Sequence, residues 1–248
     1  MSPTLPGYDL VAELRPGRTA LLRDRGTGRR VVCKRLLPDA RAAERRLVAL
    51  GPLASGWALA ACDGAPCLVR PFLAGRSLAE RLRDGPAPRA EGDVARVVLA
   101  LASILAPLHA RGIAHGELHP GNVVETEDGR LALVDGVEPF RGAPEGDALA
   151  AAEAAWAAPE VIRGAASSPA SDVWSLGVLA RQLLSGAHPF EAGEPAATVA
   201  RILYDAPLGI ALARPELAPA FAAALDRATA RRPRRRLRSA VALAEALS

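Results

Sequence analysis

The sequence predicts an α+β chain built as two lobes, a small sheet-rich part followed by a larger helical one. Three observations carry this. Short β-rich runs bounded by turn residues fill the first third, and from Ser77 onward apolar residues recur at helical spacing. Half of the 248 residues are hydrophobic, enough to bury a sizeable core.

The elements follow in order. Tyr8 to Leu14 and Ala20 to Arg23 read as strands, Asp24-Arg-Gly-Thr-Gly28 as a turn, and Arg30 to Leu36 as a strand around Val31-Val32-Cys33. Ala40 to Leu50 reads as a helix stopped by Gly51-Pro52. Ala58 to Ala61 and Pro66 to Arg70 are strands flanking the turn Asp63-Gly64-Ala65. The boundary between the two parts falls near Pro71 to Gly75. Beyond it, Leu78 and Leu82 share a helix face, and Asp93 to Ala110 is a long amphipathic helix. A strand pair, Val123-Val124 and Leu131 to Val134, joins at Glu127-Asp128-Gly129. Val161 to Leu247 reads as mostly helical, broken at Gly186, Pro189, Pro215, Pro219 and Pro233.

Composition excludes several classes. A net charge of +4 on so apolar a chain argues against intrinsic disorder. The three cysteines, Cys33, Cys62 and Cys67, exclude a disulfide framework, show no Cys-x-x-Cys spacing and read as small buried apolar residues. The apolar stretch Val97 to Leu108 is shorter than the roughly 20 residues of a membrane span, and the N-terminus resembles no secretion signal. A cytoplasmic protein with no membrane partner is expected. Six arginines crowd into Arg231 to Arg238, but no aromatic residues interleave for base stacking, so no nucleic acid is expected either.

A finer count singles out two residues. Of 31 basic residues, Lys34 is the one lysine, and Asn122 is the one asparagine. In a chain so biased toward arginine, a retained lysine marks a place where a compact point charge is needed rather than a planar fork. The stretch His115-Gly-Glu-Leu-His-Pro-Gly-Asn122, followed 13 residues later by Asp135, then supplies the other groups of ATP chemistry. Phosphoryl transfer needs a lysine on the phosphates, oxygen ligands for Mg²⁺ and a carboxylate to orient the acceptor hydroxyl. Lys34, Asn122 with Asp135, and Glu117 meet those needs.

These residues make the chain resemble the protein-kinase superfamily along nearly its whole length, as a divergent bacterial Ser/Thr protein-kinase-like domain. Val31-Val32-Cys33-Lys34 resembles the strand that presents the phosphate-binding lysine, with Glu44 as its helix partner. His115 to Asn122 resembles the catalytic loop, and Ala158-Pro-Glu160 the end of the activation segment. Asp172-Val-Trp-Ser-Leu-Gly177 resembles the helix whose aspartate braces that loop, and Arg236 the late arginine that pairs with Glu160. The resemblance implies a single domain over residues 1–248, with an N-lobe to about 70, a hinge at about 71–75 and a C-lobe from about 76. It implies ATP and Mg²⁺ as cofactors, with Gly17, Thr19, Val32, Lys34, Pro71, Leu73 and Val124 on the nucleotide. Asn122 and Asp135 would hold the metal, and His115 would support the loop.

The sequence also departs from the family pattern. Only Gly17 remains of the glycine-rich phosphate cover, Val32 stands where a small alanine meets adenine, and Arg70 precedes the hinge. Glu117 replaces an aspartate, His119 a lysine, and Gly116 an arginine. Asp135-Gly136-Val137 lacks the phenylalanine of Asp-Phe-Gly. Between Asp135 and Glu160 there is no Ser, Thr or Tyr to phosphorylate, and Glu153 lies near the position of a threonine and would repel Glu117. Three readings follow. The first is transfer from ATP–Mg²⁺ to Ser or Thr of a protein substrate. The second is a pseudokinase that binds partners with weak or no catalysis. The third, which the loop His115 to Asn122 also resembles, is a small-molecule phosphotransferase of the aminoglycoside or choline type.

Overall fold

The computed structural model describes residues 2–36, 40–85, 88–136, 153–207 and 209–247. Val137 and most of the segment without hydroxyl residues lie outside that range. The chain forms two compact units, Met1–Ala74 and Gly75–Ser248.

The first unit is an antiparallel five-stranded sheet in the order β1-β2-β3-β5-β4. Its strands are β1 (Tyr8–Arg15), β2 (Thr19–Asp24), β3 (Arg30–Arg35), β4 (Ala58–Cys62) and β5 (Ala65–Pro71). Asp63 and Gly64 both have positive φ, 53° and 77°, the geometry that a two-residue hairpin between β4 and β5 demands. Residues Ala20, Leu22, Cys33, Cys62 and Cys67 form a buried cluster on one face, covered by Leu5 and Tyr8 from the N-terminal segment. Helix α1 (Ala40–Leu50) buries Ala43 and Leu50, which sit seven residues apart on one face.

The second unit opens with a strand that periodicity does not mark, β6 (Gly75–Ser77), paired with β7 (Val123–Thr126), which in turn pairs with β8 (Leu131–Leu133). Three residues are too few to carry an alternating pattern, so only the pairing partner defines β6. Ser77 then caps α2 (Leu78–Asp84) in a reciprocal box, its Oγ accepting from the Glu80 N–H and the Glu80 carboxylate from the Ser77 N–H.

Helix α3 (Glu91–His109) has the length and apolar content that a membrane helix also shows, and here it packs against later helices and β8. After the four-residue α4 (Pro159–Ile162) comes α5 (Pro169–Ser185), buried without interruption from Ser171 to Arg181. A helix buried on all sides belongs at the centre of a domain. The remaining helices, α6 (Pro195–Tyr204), α7 (Ile210–Ala213), α8 (Pro219–Ala228) and α9 (Ala240–Ala246), complete the unit. Pro219 opens α8 rather than breaking a helix, because proline fits the first turn, where its missing N–H is no loss.

Gly177 shows how tightly α5 is set. A Cβ there would stand 2.8 Å from Ala228 Cβ and 2.9 Å from Thr229 Cγ2 at the end of α8. Gly177→Val is therefore expected to destabilise the protein by about 1–3 kcal/mol through overpacking, read as a lower urea midpoint at constant slope. An unchanged midpoint would refute this packing.

Candidate active site

The loop His115–Asn122 lies in the second unit and has little regular structure of its own, so its shape depends on what grips it. The grip is the Asp172 carboxylate, 1% exposed near the start of α5. It accepts the His115 N–H at 2.7 Å and the Gly116 N–H at 3.0 Å. A third bond, at 2.9 Å, comes from His109 Nε2 at the end of α3. His109 Nδ1 accepts the Ala240 N–H at 3.1 Å, so the ring's proton sits on Nε2 and points at Asp172. One carboxylate thus ties α3, α5, α9 and the loop together.

His109, the last residue of α3, belongs to no motif in the sequence. Its partners lie 63 and 131 residues away, and no local pattern reports such a distance.

Within the loop, the Asn122 Nδ2 group donates to the Glu117 carbonyl at 2.8 Å. Because a carbonyl can only accept, the amide orientation is set by chemistry, and Oδ1 is the end left to coordinate. The Val134 N–H donates to the Asn122 carbonyl at 2.9 Å, which brings the residue after it, Asp135, next to Asn122 in the fold. Asp135 holds the left-handed conformation, φ 69°, uncommon for a residue with a side chain. An amide oxygen and a carboxylate are hard oxygen donors of the kind Mg²⁺ takes, so this pair fits that ion. Val124, the C-lobe residue expected on the nucleotide, sits on β7 paired with Ser77 and Ala132.

Glu117 uses its extra methylene locally. Its Oε2 accepts the Gly136 N–H at 3.0 Å, while its own N–H donates to His115 Nδ1 at 3.3 Å. His115 is fully buried, and its ring lies beneath Gly136: a Cβ at 136 would approach Nε2 to 2.7 Å. With φ 80° as well, position 136 admits only glycine, which accounts for the missing phenylalanine.

The segment that returns to α4 is held by aromatic and hydroxyl groups. Ser175 Oγ donates to the Trp156 carbonyl at 2.8 Å, and the Trp156 ring meets His188 edge-on at 4.8 Å. His188 Nε2 bonds the Ala155 carbonyl at 3.1 Å, while its Nδ1 accepts the Phe190 N–H. Burial pushes the His188 pKa down to about 4. Glu153 and His119 join Glu117, Trp156 and Ser175 around a shallow concavity, so the two carboxylates line one hollow. Beyond it, Arg236 spends all five N–H donors: two on Glu160 at 2.6 and 2.7 Å, and three on the carbonyls of Ala170, Ala230 and Arg231. Its guanidinium also lies over Trp174, 5.0 Å from the ring centroid.

In the first unit, Lys34 is 6% exposed on β3 and registers with Thr19 on β2. Val32 is equally buried and faces Leu21 and Arg70 in the neighbouring strands. Pro71 ends β5, and Leu73 follows it, half-buried. Gly17, φ 64°, turns between β1 and β2, but its N–H already donates to Glu13 Oε1 at 2.7 Å. Bonds from Ser2 first and Gly17 second hold the Glu13 carboxyl below its ordinary range, keeping it charged. The expected Lys34–Glu44 pair is not formed. Ala43 and Leu50 set the inward stripe of α1, which turns the next residue, Glu44, outward to solvent. No hydrogen bond or ion pair reaches its carboxylate among the described residues.

Asp172→Ala would strand two buried backbone N–H groups. It is expected to cost about 2–4 kcal/mol of stability, with Asp172→Asn costing less because it keeps one acceptor oxygen; urea midpoints measure both. His188 predicts a pH effect. Below pH 6.5 the unfolded chain protonates this ring while the folded protein resists until about pH 4, so stability present above 6.5 is lost across that window, on the order of 3 kcal/mol by its end. Thermal melts at pH 7.5, 5.5 and 4.5 should show a smaller decline for His188→Gln than for wild type.

Comparison with known proteins agrees with this arrangement. The protein kinase domain family matches residues 60–238. Serine/threonine-protein kinase PknK of Mycobacterium bovis is 34% identical over 188 residues, which is 74% of this chain and 17% of PknK. Serine/threonine-protein kinase PknL of Mycobacterium tuberculosis is 33% identical over 183 residues, 72% of this chain and 45% of PknL. The chain thus spans less than half the length of these relatives. A crystal structure of the Mycobacterium tuberculosis PknI kinase domain, a point mutant, superposes with a TM-score of 0.70 at 26% identity, covering 98% of this chain and 95% of that one. With the braced loop and the Glu160–Arg236 bridge in a helical unit that follows an antiparallel sheet in the sequence, the chain belongs to the protein kinase family.

Proposed function

We propose that this chain binds ATP with Mg²⁺ and transfers a phosphoryl group to Ser or Thr of a protein. The observation that carries the reading is the Asn122 amide, fixed by its bond to the Glu117 carbonyl so that Oδ1 is the end left to coordinate, with the Asn122 backbone bonded to Val134, the residue before Asp135. Mg²⁺, when bound, neutralises phosphate charge. Asn122 and Asp135 hold it, Lys34 adds a compact positive charge for the phosphates, and Glu117 orients the acceptor hydroxyl. By the same reading Gly17, Thr19, Val32, Pro71, Leu73 and Val124 would contact the nucleotide. The same proposal expects the activity in the cytoplasm, where ATP is held. The names of the relatives favour a protein over a small-molecule acceptor.

Specific observations favour a second reading, a pseudokinase that binds without transfer. The charged Glu13 carboxylate occupies the Gly17 N–H, Glu44 faces solvent, and Glu117 is tied to Gly136. The lysine–glutamate pair and a well-placed carboxylate are both parts of catalysis in this family.

Thermal shift with ATP, with and without Mg²⁺, followed by transfer to a generic Ser/Thr substrate, separates the readings. Transfer that Lys34→Met abolishes supports the first and sinks the second; no transfer, with or without a Mg²⁺-dependent shift, supports the second; no shift sinks the first. Glu13→Gln, by removing a negative charge beside the phosphate turn, is expected to tighten ATP binding several-fold, measured as Kd.

A further inference from the structure

The three cysteines are the only ones in the chain, 29 and 5 residues apart, yet Cys33 on β3, Cys62 on β4 and Cys67 on β5 converge on one point. Their sulfurs all lie within 4.8 Å of one another, with Cys33 and Cys62 at 3.1 Å, and each residue is 0% exposed. Three sulfurs each about 2.3 Å from a common ion stand roughly 4 Å apart; the cluster lies within 4.8 Å throughout, and only the 3.1 Å pair Cys33–Cys62 must part by about 1 Å to admit an ion. We propose that Cys33, Cys62 and Cys67 form a site for a thiophilic d¹⁰ cation, with Cu(I) the ion it suits best.

Softness and coordination number make the choice. Thiolates select Cu(I) and Zn²⁺ among biological cations. Zn²⁺ in a closed site takes four ligands, and here the surroundings are Ala20, Leu22, Leu5, Tyr8, Val31 and Val69, with no carboxylate or imidazole joining the sulfurs among the described residues. Three ligands in a dry apolar pocket match a three-coordinate monovalent ion. Burial pushes each thiol up to about 12, so without an ion the cysteines stay protonated and poorly reactive. Each sulfur that binds as thiolate releases its proton to solvent. The ion would clamp three strands at the residue preceding Lys34, whose side chain leaves β3 on the opposite face. This inference is independent of phosphoryl transfer.

The test is anaerobic titration of the reduced full chain with Cu(I) held by bicinchoninate, and in parallel with Zn²⁺ held by a chromogenic chelator. The chain is expected to withdraw about one Cu(I), to show a sulfur-only shell by X-ray absorption, and to melt at higher urea when loaded. Cys67→Ala should weaken binding at least tenfold. If that variant does not fold, the sulfur shell of the wild-type protein decides alone. Zn²⁺ retained in preference to Cu(I) overturns the choice of ion. Failure to withdraw either ion, a shell containing nitrogen or oxygen, or equal binding by a Cys33→Ala, Cys62→Ala, Cys67→Ala triple variant overturns the site.

Discussion

A buried carboxylate needs several donors or it unfolds what surrounds it, and Asp172 has three: the His115 N–H, the Gly116 N–H and the His109 ring. That requirement organises the helical unit. The loop His115–Asn122 has no sheet or long helix to satisfy its backbone, so the carboxylate gives it a shape. The charge tolerates burial because α3 delivers His109 and α9 holds its tautomer through Ala240. Remove the acid and the loop loses its anchor; remove the donors and the acid loses its reason to be buried. The Arg236–Glu160 bridge repeats the principle with opposite roles, a buried cation satisfied by a carboxylate and three carbonyls.

Departures that look unrelated along the chain form one arrangement in space. The longer Glu117 reaches the Gly136 N–H, Gly136 is glycine because the His115 ring occupies the place of its side chain, and His115 is held by Asp172. Replacing a single member with the usual family residue would disturb the others: an aspartate at 117 would fall short of the Gly136 N–H. Restoring a phenylalanine at 136, for instance, would face both a left-handed backbone and a buried ring.

The sheet unit follows a different logic. Its turn spends the Gly17 amide on Glu13, its helix points Glu44 to water, and its thiols gather on the buried face while Lys34 emerges from the other. Strand alternation makes the last two compatible: adjacent residues on β3 serve opposite faces, so a cluster at 33 and a charge at 34 need not compete.

Much was legible in order and spacing. The strands around Val31 to Lys34, the helix Ala40 to Leu50 and the hairpin at Asp63-Gly64 follow from period and turn chemistry, which act over a few residues. The single lysine and single asparagine drew attention to Lys34 and Asn122 because bias elsewhere made them stand out. What acts over long separations was not legible. The resemblance implies Glu44 as the helix partner of Lys34, but the face it takes depends on which residues find a core. His109 acquired a role only when α9 folded against it, and three cysteines with no motif spacing met only because the sheet order β3-β5-β4 brings their strands together. Local sequence determined the elements and the residue types that chemistry needs; tertiary structure decided which of those residues meet, because register, helix rotation and burial are settled by packing across the whole unit.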